Sequence, residues 1–125
     1  MQSSPNITYS NQLLASAART TTQTGADNDN IGGPGIVVVL DMTTVGTGSV
    51  TLEIQGKDVT SGKYYALLTG AAVVTNSTNV YTVYPGMTVV ANASVSNVLP
   101  RVWRVVVTAN NANSAVYSVG YCLIP

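Results

Sequence analysis

Five carboxylates, five cations, one thiol and seven tyrosines make up the ionisable side chains of this 125-residue chain, which has no histidine. The missing imidazole removes the commonest general base and every Ser–His or Cys–His nucleophile pair. Asp27-Asn28-Asp29-Asn30-Ile31-Gly32 opens like a calcium loop. It fails at its fifth position, Ile31, and at its twelfth, Val38, where a bidentate glutamate belongs. These residues read instead as an Asx-type turn. Gly32-Gly33-Pro34-Gly35 precedes a strand rather than opening a helix, so it is no phosphate cradle. Asp41 and Glu53 fall on candidate adjacent strands, and two well-placed carboxylates can hydrolyse glycosides. Glu53, however, lies on the solvent face of an amphipathic strand, where Lys57, Arg101 and Arg104 are available for surface ion pairs. Tyr64, Tyr65, Tyr81, Tyr84, Tyr117 and Tyr121 could form a sugar-stacking platform, but in a chain without Phe they must also fill the core and interfaces. The residues point to no catalytic group, no cofactor and no metal, and to a structural or binding role rather than an enzyme.

The elements that carry these residues are strands. Apolar residues make up 46% of the chain, with Val and Thr prominent and no long run of helix formers. β-branched residues, Tyr and Trp suit pleated sheets, so the expectation is an all-β fold: a single antiparallel β-sandwich, jelly-roll or immunoglobulin-like, with an extended N-terminal arm. Residues 1–125 read as one domain, and residues 1–12 as the arm. The stretch Leu99–Thr108 holds the one tryptophan and two of the basic residues. With period two, Trp103, Val105 and Val107 share one face and Val102, Arg104 and Val106 the other. Both faces are apolar enough to place this strand centrally, with Trp103 as the core anchor. After the Asn-rich turn 110–114, the run from Ala115 to Leu123 is expected to return as the second strand of a closing hairpin.

Earlier in the chain, Leu13–Arg19 allows a helix, but the threonines that follow favour a strand. The segment from Gly25 to Gly35 reads as a loop, and the one from Gly35 to Thr43 as a central strand. Val50, Leu52 and Ile54 alternate with Thr51, Glu53 and Gln55 in a half-exposed strand. That strand turns through Gly56–Lys63 and returns at Tyr64–Leu68. Gly70–Val74 is a short strand or a continuation, Asn76–Asn79 a turn, and Val80–Tyr84 a strand. Met87–Val98 is a crossing with room for one more strand.

Charge is unusually scarce. Only 8% of residues are charged and the net charge is zero, against about 25% charged in an ordinary soluble domain and a net charge of about 2–8 that keeps small domains apart. Such a surface suits a chain living in a dense assembly. Five cations matched by five anions are too few for a nucleic-acid footprint. Cys122, at the end of an apolar strand, reads as a buried inert thiol. The N-terminus has no signal-peptide pattern and the run 36–40 is too short to span a bilayer, so synthesis in a cytoplasm is expected. The sequons at Asn6, Asn76 and Asn92 follow from the composition.

A set of segments resembles the small β-rich proteins encoded among the head and tail structural genes of tailed bacteriophages. They are Leu52-Glu53-Ile54-Gln55-Gly56-Lys57-Asp58, Ser61-Gly62-Lys63-Tyr64-Tyr65, Leu67-Leu68-Thr69, Tyr84-Pro85-Gly86, Leu99-Pro100-Arg101-Val102-Trp103-Arg104-Val105 and Tyr117-Ser118-Val119-Gly120. The resemblance covers about residues 50–125. It implies a non-enzymatic virion structural protein, most like a capsid decoration (cement) protein that binds the major capsid protein on the capsid surface as a homotrimer, without nucleic acid or membrane partners. The other readings are a carbohydrate- or host-binding module of a head or tail fibre, or a tail or neck component. Within the arm and just beyond it, Ile7, Tyr9, Leu13 and Leu14 are the apolar residues expected to contact the capsid or a neighbouring subunit.

Overall fold

The computed structural model describes residues 10–30 and 32–125. These residues form ten strands and no helix: β1 (Ser10–Arg19), β2 (Gln23–Thr24), β3 (Asn28–Asp29), β4 (Gly35–Thr44), β5 (Val50–Lys57), β6 (Tyr64–Thr69), β7 (Ser77–Val83), β8 (Ser94–Val95), β9 (Val102–Ala109) and β10 (Ala115–Ile124). One sheet, A, runs β1-β10-β4-β7-β8, and the other, B, runs β2-β9-β5-β6, with β3 also on β9. All pairs are antiparallel except β7 with β8. The fold is thus an all-β sandwich.

Alternation builds it as the sequence implies. In β4 the even-numbered residues Ile36, Val38, Leu40 and Met42 are buried, and in β5 Val50, Leu52 and Ile54. From β9 come Trp103, Val105 and Val107, and from β10 Tyr117, Val119 and Leu123. These residues form one cluster between the sheets. Trp103 is 0% exposed. Its indole meets the edge of Tyr121, which comes from the opposite sheet, with the ring centroids 4.9 Å apart. As expected, β9 is central in its sheet, between β5 and the short strands β2 and β3.

The closing hairpin is not formed. β9 belongs to sheet B and β10 to sheet A, so residues 110–114 carry the chain across the sandwich as an arch. The asparagines there hold the neighbouring loop instead of closing a tight turn: Asn110 donates to Ser49 Oγ at 2.9 Å and Thr51 Oγ1 at 3.0 Å, and Asn111 to the Thr47 carbonyl at 3.0 Å. Two boundaries also differ. β7 begins at Ser77, inside the expected turn, because Ser77–Val80 extend the ladder on β4 from Met42 to Val39. Residues 10–12 of the expected arm are strand, with Ser10, Asn11 and Gln12 opposite Cys122, Tyr121 and Gly120. The rest of that arm, 1–9, lies outside the described residues.

β1 is the strand that the threonines favoured, bulged twice, between Gln12 and Leu14 and between Leu14 and Ala17. Arg19 clamps the second bulge. Its guanidinium donates to the carbonyls of Ala15, Ala17 and Tyr117, the last at 2.6 Å, and lies 4.8 Å from the Tyr117 ring centroid. The Tyr117 hydroxyl is buried without a protein partner. An unpaired buried hydroxyl costs about 1–3 kcal/mol, while Phe would keep the ring under Arg19. Tyr117→Phe is therefore expected to leave stability unchanged or raise it by up to about 1 kcal/mol in urea denaturation. A loss of that size would instead show that the hydroxyl is bonded.

Candidate interaction surface

The outward residues of the two sheets differ sharply in charge. On sheet B, the exposed sides of β5, β6 and β9 bring Glu53, Gln55, Lys57, Tyr64, Thr69 and Arg104 together. Arg104 stacks on Tyr64 with its guanidinium carbon 3.4 Å from the ring centroid, and its Nε donates to Gln55 Oε1 at 2.7 Å. Gln55 donates onward to Glu53 at 2.6 Å, and the Thr69 hydroxyl donates to the other Glu53 oxygen at 2.8 Å. Asp27 completes the group by accepting from the Tyr64 hydroxyl at 2.6 Å and pairing with Lys57 at 2.9 Å. The Tyr64 and Lys57 hydrogen bonds hold the Asp27 carboxyl below its ordinary value, and Asp27 raises Lys57. Each of these side chains is hydrogen-bonded to a neighbour within the group. The cluster is a self-contained cover on one side of the sandwich.

That arrangement answers several expectations. Asp41 lies on β4 of sheet A and Glu53 on β5 of sheet B, so the two carboxylates are not on adjacent strands and form no pair. Glu53 takes hydrogen bonds from Gln55 and Thr69, while the one ion pair among the described residues is Lys57 with Asp27. Tyr64 has one ring face under Arg104, which takes it from any sugar platform, and Tyr81 and Tyr117 are core residues. The expected turn at Asp27–Asn30 is instead partly strand, Asn28–Asp29 forming β3 on β9, and the side-chain turn comes just after it, with Asn30 Oδ1 accepting from the amide of Gly33 at 2.9 Å. Among the described residues no three His, Cys, Asp or Glu side chains converge as a metal site would require. Burial of Tyr81 and Tyr117 pushes both hydroxyls above the ordinary tyrosine value. An unfolded tyrosine loses its proton near pH 10 while these stay protonated, so stability holds below that pH and falls as pH rises through it. A urea midpoint that is flat between about pH 8 and pH 11 would contradict this coupling.

The sheet A exterior is the opposite. β4 presents Val37, Val39 and Asp41, β7 presents Thr78, Val80 and Thr82, and β10 presents Ser118, Gly120 and Cys122. Its one charge is Asp41, which accepts from the Thr78 hydroxyl at 3.1 Å. Val80 is half exposed, and Cys122 is exposed rather than buried, because its even position in β10 turns the thiol outward. Gly120 is the floor of a shallow depression bordered by Ser10, Asn11, Val37, Val39 and Cys122. The signal for this face was present in the sequence: odd positions of β4 and even positions of β10 carry almost no charge. What was missing was the knowledge that those strands are neighbours.

Of the residues expected to contact a partner, Ile7 and Tyr9 lie outside the described residues. Leu13 and Leu14 are half buried in β1 and pack on this chain's own core. With Gln12, Gly25, Val105 and Val119 they line a partly open cleft of about 180 Å³ where β1 faces β2 and β3. Trp103 is the core anchor that its alternation implied. Among the described residues no helix is long and apolar enough to cross a membrane. No family model, curated protein or solved structure matches the chain.

Proposed function

We propose that this chain is a non-enzymatic structural protein of a tailed-phage virion, a decoration (cement) protein that attaches to the major capsid protein and stabilises the head lattice. The observation that carries the reading is the exterior of sheet A: a β-branched surface with one carboxylate, on a chain whose net charge is zero. A soluble domain left alone with such a face has little to keep its copies apart. In a shell the same face is covered, and the self-contained polar cluster on sheet B is the side suited to water. The sequence segments that resemble phage head and tail proteins support the same assignment.

The physical role would be clamping. A copy that touches several lattice subunits must release all of them before the shell opens, so modest contacts add into a large barrier. Nothing in this role needs a cofactor, a nucleophile or a titrating base. The test is to purify particles, count copies of the chain and compare heat resistance with and without it. Hundreds of copies and a lower rupture temperature on removal are the expected results. Absence from particles, or a few copies together with binding on a glycan array, would replace this reading with a fibre-tip module.

A further inference from the structure

The outward rows of sheet A follow from its register. Val80, Val39, Gly120 and Gln12 lie side by side on β7, β4, β10 and β1, and the next row is Thr82, Val37, Cys122 and Ser10. On one side of the central Val39 stands an exposed valine. On the other, one strand away, is the glycine that floors the depression. A half-turn about an axis running along β4 carries each onto the other. We infer that a second copy of this chain covers this face, sheet A to sheet A about a two-fold axis through Val37 and Val39, with Val80 of each copy seated over Gly120 of the other. The inference rests on the reading of this face as covered in the assembly and names its occupant.

Charge selects the occupant. A partner bringing several ionised side chains would strand them against Val39, Val37 and Val80, at a desolvation cost that the single carboxylate of Asp41 could offset for one cation only. The exterior of sheet B fails for that reason, because it presents Glu53, Lys57 and Arg104. Among the described strand faces of this chain, the outside of sheet A, with Asp41 as its one charge, is itself the least charged match for that face. A face that packs on its own copy closes as a pair and does not propagate. Four strands about 4.8 Å apart, with about eight residues each, give a face of roughly 500 Å² per copy. That is near the lower end of specific interfaces, so the pair is a reversible one. The two Asp41 carboxylates come level near the axis and oppose it. This pairing is two-fold, whereas the phage resemblance implied a homotrimer.

The test is sedimentation of the full chain from about 1 to 500 μM, a range that brackets weak association. The expected result is passage from the 12.9 kDa monomer to twice that mass. Val80→Lys places a charge over the facing glycine, and Gly120→Val fills the depression. Both sites are open in the single chain: Val80 is 51% exposed, and a Cβ on Gly120 would meet only the Asn11 carbonyl, at an ordinary 3.5 Å. Both variants should keep the wild-type circular dichroism and weaken pairing at least tenfold, while Asp41→Asn tightens it severalfold. Alkylation of Cys122 should slow as the pair forms. A monomer throughout the range, a trimer mass, or unchanged pairing in both disrupting variants overturns the inference. A monomer whose attachment to particles is lost in Val80→Lys overturns the pairing while leaving the shell assignment standing.

Discussion

Replacing Trp103 with alanine is expected to remove about 3–5 kcal/mol from the unfolding free energy. The side chain is 0% exposed and is the largest of the fully buried ones. It is held between the sheets, from β9 to the edge of Tyr121, so the space it leaves is walled by strands that are fixed in two separate ladders. Such a site cannot collapse easily, which puts the cost toward the upper end of the range for large-to-small changes. For a chain of this size the midpoint should fall by roughly 10–20 °C. Trp103→Phe should cost less than half as much. It keeps most of the apolar volume and deletes the indole N–H, which is buried without a protein partner. Thermal unfolding of the two variants side by side is the measurement, and equal losses would mean that the N–H, not the volume, matters. The native emission of this one tryptophan must also be that of a buried indole; a solvent-exposed spectrum in the folded protein would contradict the sandwich itself.

The second large effect is expected at Gly35, the first residue of β4. A Cβ there would collide with the Val83 carbonyl oxygen and stand 2.6 Å from Cδ1 of Tyr84. The first obstacle is backbone in the neighbouring β7 and cannot rotate away. Overpacking of this kind costs about 1–3 kcal/mol and occasionally more, so Gly35→Ala should lose about 3 kcal/mol. Gly120→Ala, on the next strand of the same sheet, is the control. Its new methyl meets only an ordinary contact, and relief of glycine's freedom in the unfolded chain should make it neutral or stabilising by up to about 1 kcal/mol. Urea midpoints for the pair would show whether β4 and β7 approach as closely as the structure has them. If Gly35→Ala unfolds like the wild type, the approach at this end of sheet A is looser.

Burial was far more legible in the sequence than neighbourhood. The alternation in Val50–Gln55 and in Val102–Val107 identifies inward and outward residues correctly, because period two is a local property of the backbone. It says nothing about which strand lies alongside. The stretch from Val102 to Leu123 therefore reads as a hairpin, and only the three-dimensional arrangement shows Asn110 and Asn111 spending their amides on Ser49, Thr51 and Thr47 while the chain crosses to the other sheet. The same limit put Asp41 beside Glu53. Cys122 was misjudged for a related reason: strand β10 is apolar on both faces, so composition could not say that the even positions look outward. The polar group around Tyr64 was half visible. Lys57, Arg104 and Glu53 could be placed on one exposed face, but Asp27 reaches them from a loop thirty positions earlier, a contact with no local signature.

The pairing of β1 with β10 has a consequence in time. Arg19 and the Tyr117 carbonyl that it holds are 98 positions apart, and β10 is also the strand between β1 and β4. During synthesis β1 lacks its β10 partner until residues 115–124 have been made, and β4 waits with one edge bare for the same interval. Sheet B can assemble from β5 and β6 earlier, but the layer that closes over it cannot. Folding of sheet A is thereby deferred until β10 has been made, and the pairing of such distant segments makes it slow. A chain cut short at the start of β10 would lose the middle of a sheet, and should aggregate instead of persisting as a weakened protein.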